Sequence, residues 1–350
     1  MSRQINVGGV AIGGGAPVPI QSMTNTDTSD IPATVTQIEA LAAAGCQIVR
    51  LAVPDLASAE AIRAIKKRTS LPLVADIHFD HRLALAALEA GIDKIRINPG
   101  NIGGPENTRA VALACKERGV PIRVGVNGGS LSRAVLEKYG HTVEGLCHSA
   151  LENVEALEAC GFEDIAVSLK ASGVFETIRA YRLFAQWREY PLHLGVTHAG
   201  NVKTGTLKSA AAFGALLESG IGDTIRVSLT AADPVLEIEA ARDILKALEL
   251  NATGVTVISC PTCGRTKVDL IAIAQEVEDR VRHLDAKLTV AVMGCAVNGP
   301  GEARQADIGI ACGRGEGLII CKGEILYKVQ ESELVPSLMR EIKRLTEVNL

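Results

Sequence analysis

Three thiols in two separate loops are the clearest candidates for redox or metal chemistry in this sequence. Cys260 and Cys263 lie in Cys-Pro-Thr-Cys-Gly-Arg, and Cys295 lies in Gly-Cys-Ala-Val-Asn-Gly-Pro-Gly-Glu, which ends at Glu302. Each loop follows a short run of β-branched and aliphatic residues, so both loops are expected at strand ends. Thiolates at such positions are ligands that soft metals and iron–sulfur clusters favour.

The spacing leaves three kinds of site open. A Cys-x-x-Cys between a strand and a helix is also typical of a redox-active dithiol, and it forms half of a zinc ribbon. A dithiol leaves Cys295 without a role, and a zinc ribbon needs a second Cys-x-x-Cys, which the sequence lacks. Three thiolates favour a [4Fe–4S] cluster whose fourth position is open or is held by Glu302, Cys312 or Cys321. The other cysteines are interpreted as buried apolar residues.

A second group of polar side chains stands at or near the ends of short aliphatic runs in the first two thirds of the chain. Its four arginines and one lysine would repel one another without an anion between them, and guanidinium groups bind phosphate oxygens in bidentate fashion. The group therefore predicts a site for a diphosphate or for two phosphates. It comprises Gln21, Ser22, Thr24, Asn25, Arg50, Asp76, His78, Arg96, Asn98, Arg123, Asn127, Ser168, Lys170, Thr197, His198, Arg226 and Ser228.

The order of aliphatic runs and amphipathic segments predicts the elements that must position these groups. Alternation of strands and helices predicts a parallel sheet, and eight repeats in residues 1–250 predict an α/β fold of the TIM (β/α)8 barrel type. A Rossmann sheet is the alternative, but its glycine fingerprint is missing after the first strand. Residues 251–350 change pattern and predict a smaller α+β domain. The predicted barrel strands are 19–23, 46–51, 73–77, 94–98, 122–126, 165–169, 192–196 and 224–227.

Composition excludes several other classes of protein. A net charge of −4 and an aromatic content of 3% argue against a nucleic-acid-binding surface. No apolar run is long enough for a transmembrane helix, and the amino terminus lacks the pattern of a secretory signal. We therefore expect a cytoplasmic location. In that location the 9 cysteines are not expected to form a disulfide framework.

The motifs together resemble those of one enzyme family along essentially the whole chain. They are Pro-Ile-Gln-Ser-Met-Thr-Asn-Thr-Asp-Thr, Ala-Asp-Ile-His, Arg-Ile-Asn-Pro-Gly-Asn, Arg-Val-Gly-Val-Asn-Gly-Gly-Ser-Leu, Gly-Ile-Gly-Asp-Thr-Ile-Arg-Val-Ser-Leu and the two cysteine loops. The sequence is similar to the bacterial 4-hydroxy-3-methylbut-2-enyl diphosphate synthases of the non-mevalonate isoprenoid pathway.

This resemblance implies a TIM barrel followed by a domain of the sulfite and nitrite reductase type. It implies a [4Fe–4S] cluster held by Cys260, Cys263, Cys295 and Glu302. The implied reaction is the two-electron reductive ring opening of 2-C-methyl-D-erythritol 2,4-cyclodiphosphate with loss of water. Flavodoxin or ferredoxin would donate the electrons, and the cluster domain of one subunit of a homodimer would cap the barrel of the other.

By match to the family motifs, four cations bind the diphosphate: Arg50, Arg96, Arg123 and Lys170. Polar residues orient it: Asp76, His78, Asn98, Asn127, Ser168, Thr197 and Ser228. One position departs from the family, because His198 stands where the family has a glutamate that handles a proton. We expect His198 to take over this catalytic role alongside Glu302. The alternative function is a phosphate-ligand-binding barrel with a zinc- or dithiol-bearing appendage and no redox turnover.

Overall fold

The structure is a computed structural model that describes residues 1–98, 101–171, 173–197, 199–250, 254–282, 284, 286–295 and 297–347. The chain divides into two compact units, Met1–Asn251 and Ala252–Leu350. No helix in the described ranges is long and apolar enough to cross a membrane. Each unit has a hydrophobic core of its own.

The first unit begins with a glycine-rich hairpin. β1 (Ile5–Val7) and β2 (Val10–Ile12) pair antiparallel. Their buried side chains pack with Ile48, Val74 and Ala166, which come from three strands of the following barrel. The hairpin therefore covers one end of the barrel and leaves the carboxyl ends of its strands for a site.

Eight parallel strands follow in chain order. Six of them form one sheet in the order β3-β4-β5-β6-β7-β8, and β9 pairs with β10. The bridges Val167↔Leu192 and Ile20↔Ile225 connect these two groups on both sides, so the strands form a ring. The strands are β3 (Gln21–Met23), β4 (Ile48–Ala52), β5 (Leu73–Asp76), β6 (Lys94–Ile97), β7 (Ile122–Asn127), β8 (Ile165–Lys170), β9 (His193–Leu194) and β10 (Thr224–Ile225).

Helices cover the outside of the ring, and their apolar faces form the larger core. α1 shows how the sequence sets their bounds: Asp30 caps its first turn by accepting from the Ala33 backbone N–H, and Val35, Ile38 and Leu41 lie buried on one face. The helices are α1 (Ile31–Ala43), α2 (Leu56–Lys66), α3 (His81–Glu89), α4 (Pro105–Arg118), α5 (Arg133–Tyr139), α6 (Val143–Glu158), α7 (Val174–Phe184), α8 (Val202–Leu217) and α9 (Val235–Ala247). The short α5 is absent from the sequence prediction.

The second unit is a five-stranded mixed sheet in the order β11-β12-β13-β14-β15, with helices packed on it. β11, β12 and β13 are parallel, whereas β14 and β15 are antiparallel additions. An α/β barrel followed by an α+β unit is the architecture that the sequence predicts. The elements are β11 (Val255–Ser259), α10 (Leu270–Val281), β12 (Leu288–Met293), α11 (Gly299–Glu302), β13 (Ile308–Cys312), β14 (Glu316–Cys321), β15 (Glu324–Gln330) and α12 (Leu334–Glu347).

Candidate active site

A cavity of about 300 Å³ opens at the carboxyl ends of the barrel strands. This is the edge at which barrel enzymes place their catalytic groups. Every described residue that lines it is polar or charged, and five cationic side chains face one carboxylate. The lining residues are Arg50, Asp76, His78, Arg96, Arg123, Asn127, Ser168, Lys170, Thr197, Arg226 and Ser228.

Asp76 holds two of the arginines from the end of β5. Its Oδ1 lies 3.1 Å from Nη1 of Arg96, and its Oδ2 lies 3.7 Å from Nε of Arg50. His78 adds a third contact, with Nε2 at 3.4 Å from the same Oδ2. The strand register explains the cluster, because Asp76 pairs with Ala52 on one side and with Arg96 on the other.

The protonation state of Asp76 follows from these neighbours. Burial alone would raise the pKa of its carboxyl, but Arg50, the His78 hydrogen bond and Arg96 outweigh burial and hold that pKa well below its usual range. Burial, and then repulsion from Arg226, lowers the pKa of Arg50 to about 9. Asp76 is therefore ionised and Arg50 protonated at neutral pH.

Two cations lie deeper in the same wall and have no carboxylate contact among the described ion pairs. Arg123 donates through Nη1 to Oγ of Ser168 at 2.9 Å, while its Nε and Nη2 are buried without a described partner. Burial, followed by repulsion from Arg226 and other arginines, lowers the pKa of Lys170 well below its ordinary value. A bound anion would accept hydrogen bonds from these groups and offset the repulsion between their positive charges.

Two glycines make room for the cations. A Cβ on Gly125 would lie 2.5 Å from Nε of Arg96, and a Cβ on Gly195 would lie 3.0 Å from Cε of Lys170. A Cβ at the first position would force the Arg96 guanidinium to shift, and one at the second would crowd the Lys170 side chain, so glycine at both positions lets the cations lie as they do. Both glycines fall within strands predicted from the sequence, and a glycine inside a strand often indicates that another group packs closely against the backbone there.

A further polar layer lies beneath the cavity and was not assigned from the sequence. Lys94 precedes Arg96 by two residues on β6 and shares its inward face, and it is 1% exposed. Burial and repulsion from Arg123 lower the pKa of Lys94 to about 7. His193 is equally buried, and burial followed by Arg123 and Lys170 lowers its pKa well below the ordinary value, so its imidazole is neutral.

The cavity brings together most of the residues that the motifs singled out. Asn98 is buried just after β6 and does not belong to the described cavity lining. His198 lies outside the described residues. Arg226 also lines the cavity, as the strand-end group predicts, although the family motifs assigned it no role.

The thiol loops come together in the second unit because β11 and β12 are neighbouring parallel strands, with Ser259 paired to Val292. The backbone N–H of Gly294 donates to Sγ of Cys260 at 3.2 Å, so the two loops touch. Cys263 is exposed, and Cys295 is 9% exposed. The described residues show no preassembled group of three or more His, Cys, Asp or Glu side chains that could hold a metal ion.

Arg265 links these thiols to Glu302. Its guanidinium interacts first with Cys263, then with Cys295 and, more weakly, with Glu302, and these anions raise the pKa of Arg265. Backbone N–H groups, that of Arg265 for Cys263 and that of Asn298 for Cys295, lower the pKa of both thiols. Two thiols and one carboxylate thus act on one guanidinium, and Cys260 joins them through the contact between the two loops. Thiols together with a carboxylate are a donor set that fits an iron–sulfur cluster.

The other cysteines behave differently. Cys312 is buried in the second core, and burial raises its pKa to about 12. Burial raises the pKa of Cys115 and of Cys147 to about 12 as well. Their high pKa values and core positions agree with the interpretation as small apolar residues rather than ligands.

Comparison with known families matches both units in order. Residues 2–242 match the GcpE TIM-barrel domain, and residues 256–344 match the GcpE protein C-terminal domain. The chain belongs to the GcpE family. The resemblance seen in the sequence motifs is thereby confirmed.

Relatives of this GcpE chain carry an enzyme name. A protein of Geobacter sulfurreducens is 56% identical over 345 residues, which is 98% of each chain. A protein of Geobacillus thermodenitrificans is 57% identical over 347 residues, 99% of this chain and 92% of the relative. Both are named 4-hydroxy-3-methylbut-2-en-1-yl diphosphate synthase (flavodoxin). The predicted family activity therefore agrees with the names that these relatives carry.

Solved structures similar to this GcpE chain share the barrel. A dihydropteroate synthase from Xanthomonas albilineans matches with a TM-score of 0.51 at 15% identity, over 71% of this chain and 99% of its own. A 3-dehydroquinate dehydratase from Geobacillus kaustophilus matches with a TM-score of 0.50 at 18% identity, over 71% and 98%. At such identity the likeness shows the fold alone.

Proposed function

We propose that this GcpE-family protein is a 4-hydroxy-3-methylbut-2-enyl diphosphate synthase that reduces 2-C-methyl-D-erythritol 2,4-cyclodiphosphate with two electrons. The observation that carries the proposal is the cavity at the carboxyl edge of the barrel, in which five cationic side chains face one carboxylate. A cyclic diphosphate carries two negative charges and offsets part of this excess. The names of the relatives, which give the product and flavodoxin, support the same reaction.

The cations are proposed to bind the two phosphate groups. Arg50 and Arg96 are fixed by Asp76, so their remaining N–H groups are available to phosphate oxygens in a set orientation. Arg123 and Lys170 bring buried positive charge with no carboxylate contact among the described ion pairs, and burial strengthens their attraction for an anion. This preorganisation lowers the cost of binding, because the protein does not have to gather its charges when the substrate arrives.

Polar side chains other than the five cations are proposed to orient the carbon skeleton. Oγ of Ser228 is buried without a described partner, and Thr197 donates from Oγ1 to the Ala171 carbonyl at 2.8 Å. Ring opening breaks a C–O bond to phosphate, and the departing hydroxyl leaves as water, so a proton must reach that hydroxyl. The orienting residues are Asp76, His78, Asn98, Asn127, Ser168, Thr197 and Ser228.

His198 is proposed to hold that proton, as the sequence predicts, although its side chain lies outside the described residues. If His198→Ala retained full turnover, the assignment would be dropped. His198→Glu restores the family's residue and serves as the matched variant, for which we expect activity within about threefold of the parent.

The thiol loops are proposed to hold a [4Fe–4S] cluster through Cys260, Cys263, Cys295 and Glu302, in a domain of the sulfite and nitrite reductase type. The donor set fits, since Cys263, Cys295 and Glu302 all act on Arg265, and Cys260 contacts the second loop through Gly294. When bound, such a cluster supplies one-electron transfer that delivers the two electrons in steps. Glu302 is exposed, and a carboxylate is a harder and more weakly held iron ligand than thiolate.

The partners are proposed on the same basis. Flavodoxin is the electron donor named for the relatives, and ferredoxin stays the alternative. A homodimer in which the cluster domain of one subunit caps the barrel of the other is a prediction from the resemblance, as is the cytoplasmic location. Light scattering of the anaerobic protein tests the dimer, which predicts twice the 36.8 kDa of one chain.

Turnover of the cyclic diphosphate by the anaerobic protein with reduced flavodoxin tests the proposed function. Arg123→Gln should raise KM by at least about thirtyfold, since it removes a buried charge opposite the substrate. Arg133→Gln is the matched control, because Arg133 is exposed and pairs only with Glu137 in the described contacts. A protein that binds the diphosphate but carries zinc and never turns over would instead support a ligand-binding barrel.

A further inference from the structure

Glu237 is a buried carboxylate that does not line the cavity. It makes three contacts with residues in or next to the strands that carry the cavity wall. It lies in the first turn of α9 and is 8% exposed. Its Oε1 accepts the backbone N–H of Leu229 at 3.0 Å, and its Oε2 accepts the hydroxyl of Ser22 at 3.1 Å. The same Oε2 lies 3.7 Å from Nη2 of Arg226.

These contacts cross the place where the barrel closes. The backbones of the first and last barrel strands meet there through the bridge Ile20↔Ile225, and β10 itself has only two residues. Glu237 connects Ser22 on the first strand with Leu229, which follows the last one. One carboxylate therefore holds the segment beyond β10 where strand pairing is sparse.

That segment carries two groups of the cavity wall, Arg226 and Ser228. Nε of Arg226 and Oγ of Ser228 are buried with no partner among the described residues, so both have hydrogen-bonding capacity left for a ligand. Arg226 is also the strongest repulsive neighbour of Arg50 and of Lys170. Without a countercharge behind it, Arg226 would be driven away from the other cations.

We infer that Glu237 is a positioning residue for substrate binding: it holds Arg226 against the repulsion of the cationic wall and, through the Leu229 N–H, fixes the segment that carries Ser228. The inference rests on the proposed function, because it concerns how the same cavity receives its diphosphate. Glu237 acts through Arg226 and touches no substrate atom. Its removal should therefore weaken binding and leave the chemical step nearly unchanged.

The test is steady-state kinetics with the cyclic diphosphate and reduced flavodoxin on the full-length parent and three full-length variants. Glu237→Gln keeps the shape and an acceptor for Leu229 but removes the charge, and we expect KM to rise about tenfold with kcat within about twofold. Glu237→Asp should recover part of the loss. Glu239→Gln is the control, since Glu239 lies on the same helix but is exposed, and it should match the parent.

A double-mutant cycle separates positioning from general destabilisation. If Glu237 acts through Arg226, adding Glu237→Gln to Arg226→Gln should raise KM no further than Arg226→Gln alone. Additive losses, or a Glu237→Gln enzyme with the parent's KM, would overturn the inference. Turnover by the parent protein distinguishes the two proposals. A parent that does not convert the cyclic diphosphate would contradict the proposed function. An active parent whose Glu237 variants have an unchanged KM would contradict only this inference.

Discussion

Asp76→Asn removes the one carboxylate that lines the cavity while preserving the size of the side chain. Asp76 lies 3.1 Å from Arg96 and 3.7 Å from Arg50, and the side chains of all three are less than a tenth exposed. Each contact is worth about 4 kcal/mol of attraction at an effective dielectric constant of about 20. Desolvation offsets much of this, and breaking a buried pair typically costs about 3 kcal/mol.

A loss of about 3 kcal/mol lowers the melting temperature of a unit of this size by about 6–12 °C. Differential scanning calorimetry of the full chain measures that shift. Glu163→Gln is the matched control, because Glu163 pairs with Arg3 at 3.0 Å on an exposed surface. Removing such a pair should cost less than about 1 kcal/mol.

Two further readouts test the electrostatic reasoning. Since the folded-state pKa of Asp76 is depressed, its stabilisation is present above the ordinary carboxyl pKa of about 4 and is lost as pH falls below it. The deficit of Asp76→Asn should therefore shrink in acid. Inorganic pyrophosphate should stabilise the variant more than the parent, because it replaces the missing negative charge. A variant as stable as Glu163→Gln, or one that gains less from pyrophosphate, would refute the reasoning.

The remaining predictions concern other parts of the two sites. Gly125→Ala should weaken binding of the cyclic diphosphate about tenfold, because the new Cβ displaces Arg96. Gly214→Ala is the control and should leave binding unchanged, since its new Cβ makes only an ordinary contact at 3.5 Å. Calorimetric titration measures both dissociation constants. Lys94 has a pKa of about 7, and a bound anion favours its charged form, so binding of the cyclic diphosphate should take up a proton above pH 7. The dissociation constant should therefore rise with pH in the parent but not in Lys94→Met. Glu302→Ala should lower iron content far more than Cys312→Ser; equal losses in an iron assay would mean a different fourth ligand.

Much of the barrel site was predictable because its residues lie at regular positions on or just after the predicted strands. Arg96 and Asp76 stand at the ends of neighbouring aliphatic runs, and the ends of parallel strands meet at one edge of the ring. The alternation of side chains in a strand then directs them inward. The same logic brought Cys260 and Cys295 together once β11 and β12 were adjacent.

What the sequence did not reveal depends on contacts between distant segments. Glu237 lies 215 residues from Ser22, and a glutamate in the first turn of an amphipathic helix is normally on the solvated face. Lys94 begins a strand, and a charged lysine side chain is normally exposed, yet the closed ring of strands buries it. The helix Arg133–Tyr139 is too short for its periodicity to stand out.

The stoichiometry of a single anaerobic turnover tests the central proposal most directly. Protein purified without oxygen is mixed with the cyclic diphosphate and a measured excess of reduced flavodoxin and is then quenched. Mass spectrometry counts the product, and the amount of flavodoxin oxidised gives the electrons consumed. We predict a brown protein that forms (E)-4-hydroxy-3-methylbut-2-enyl diphosphate with two electrons per molecule. A colourless, zinc-containing protein that binds the diphosphate and returns it unchanged would contradict the proposal.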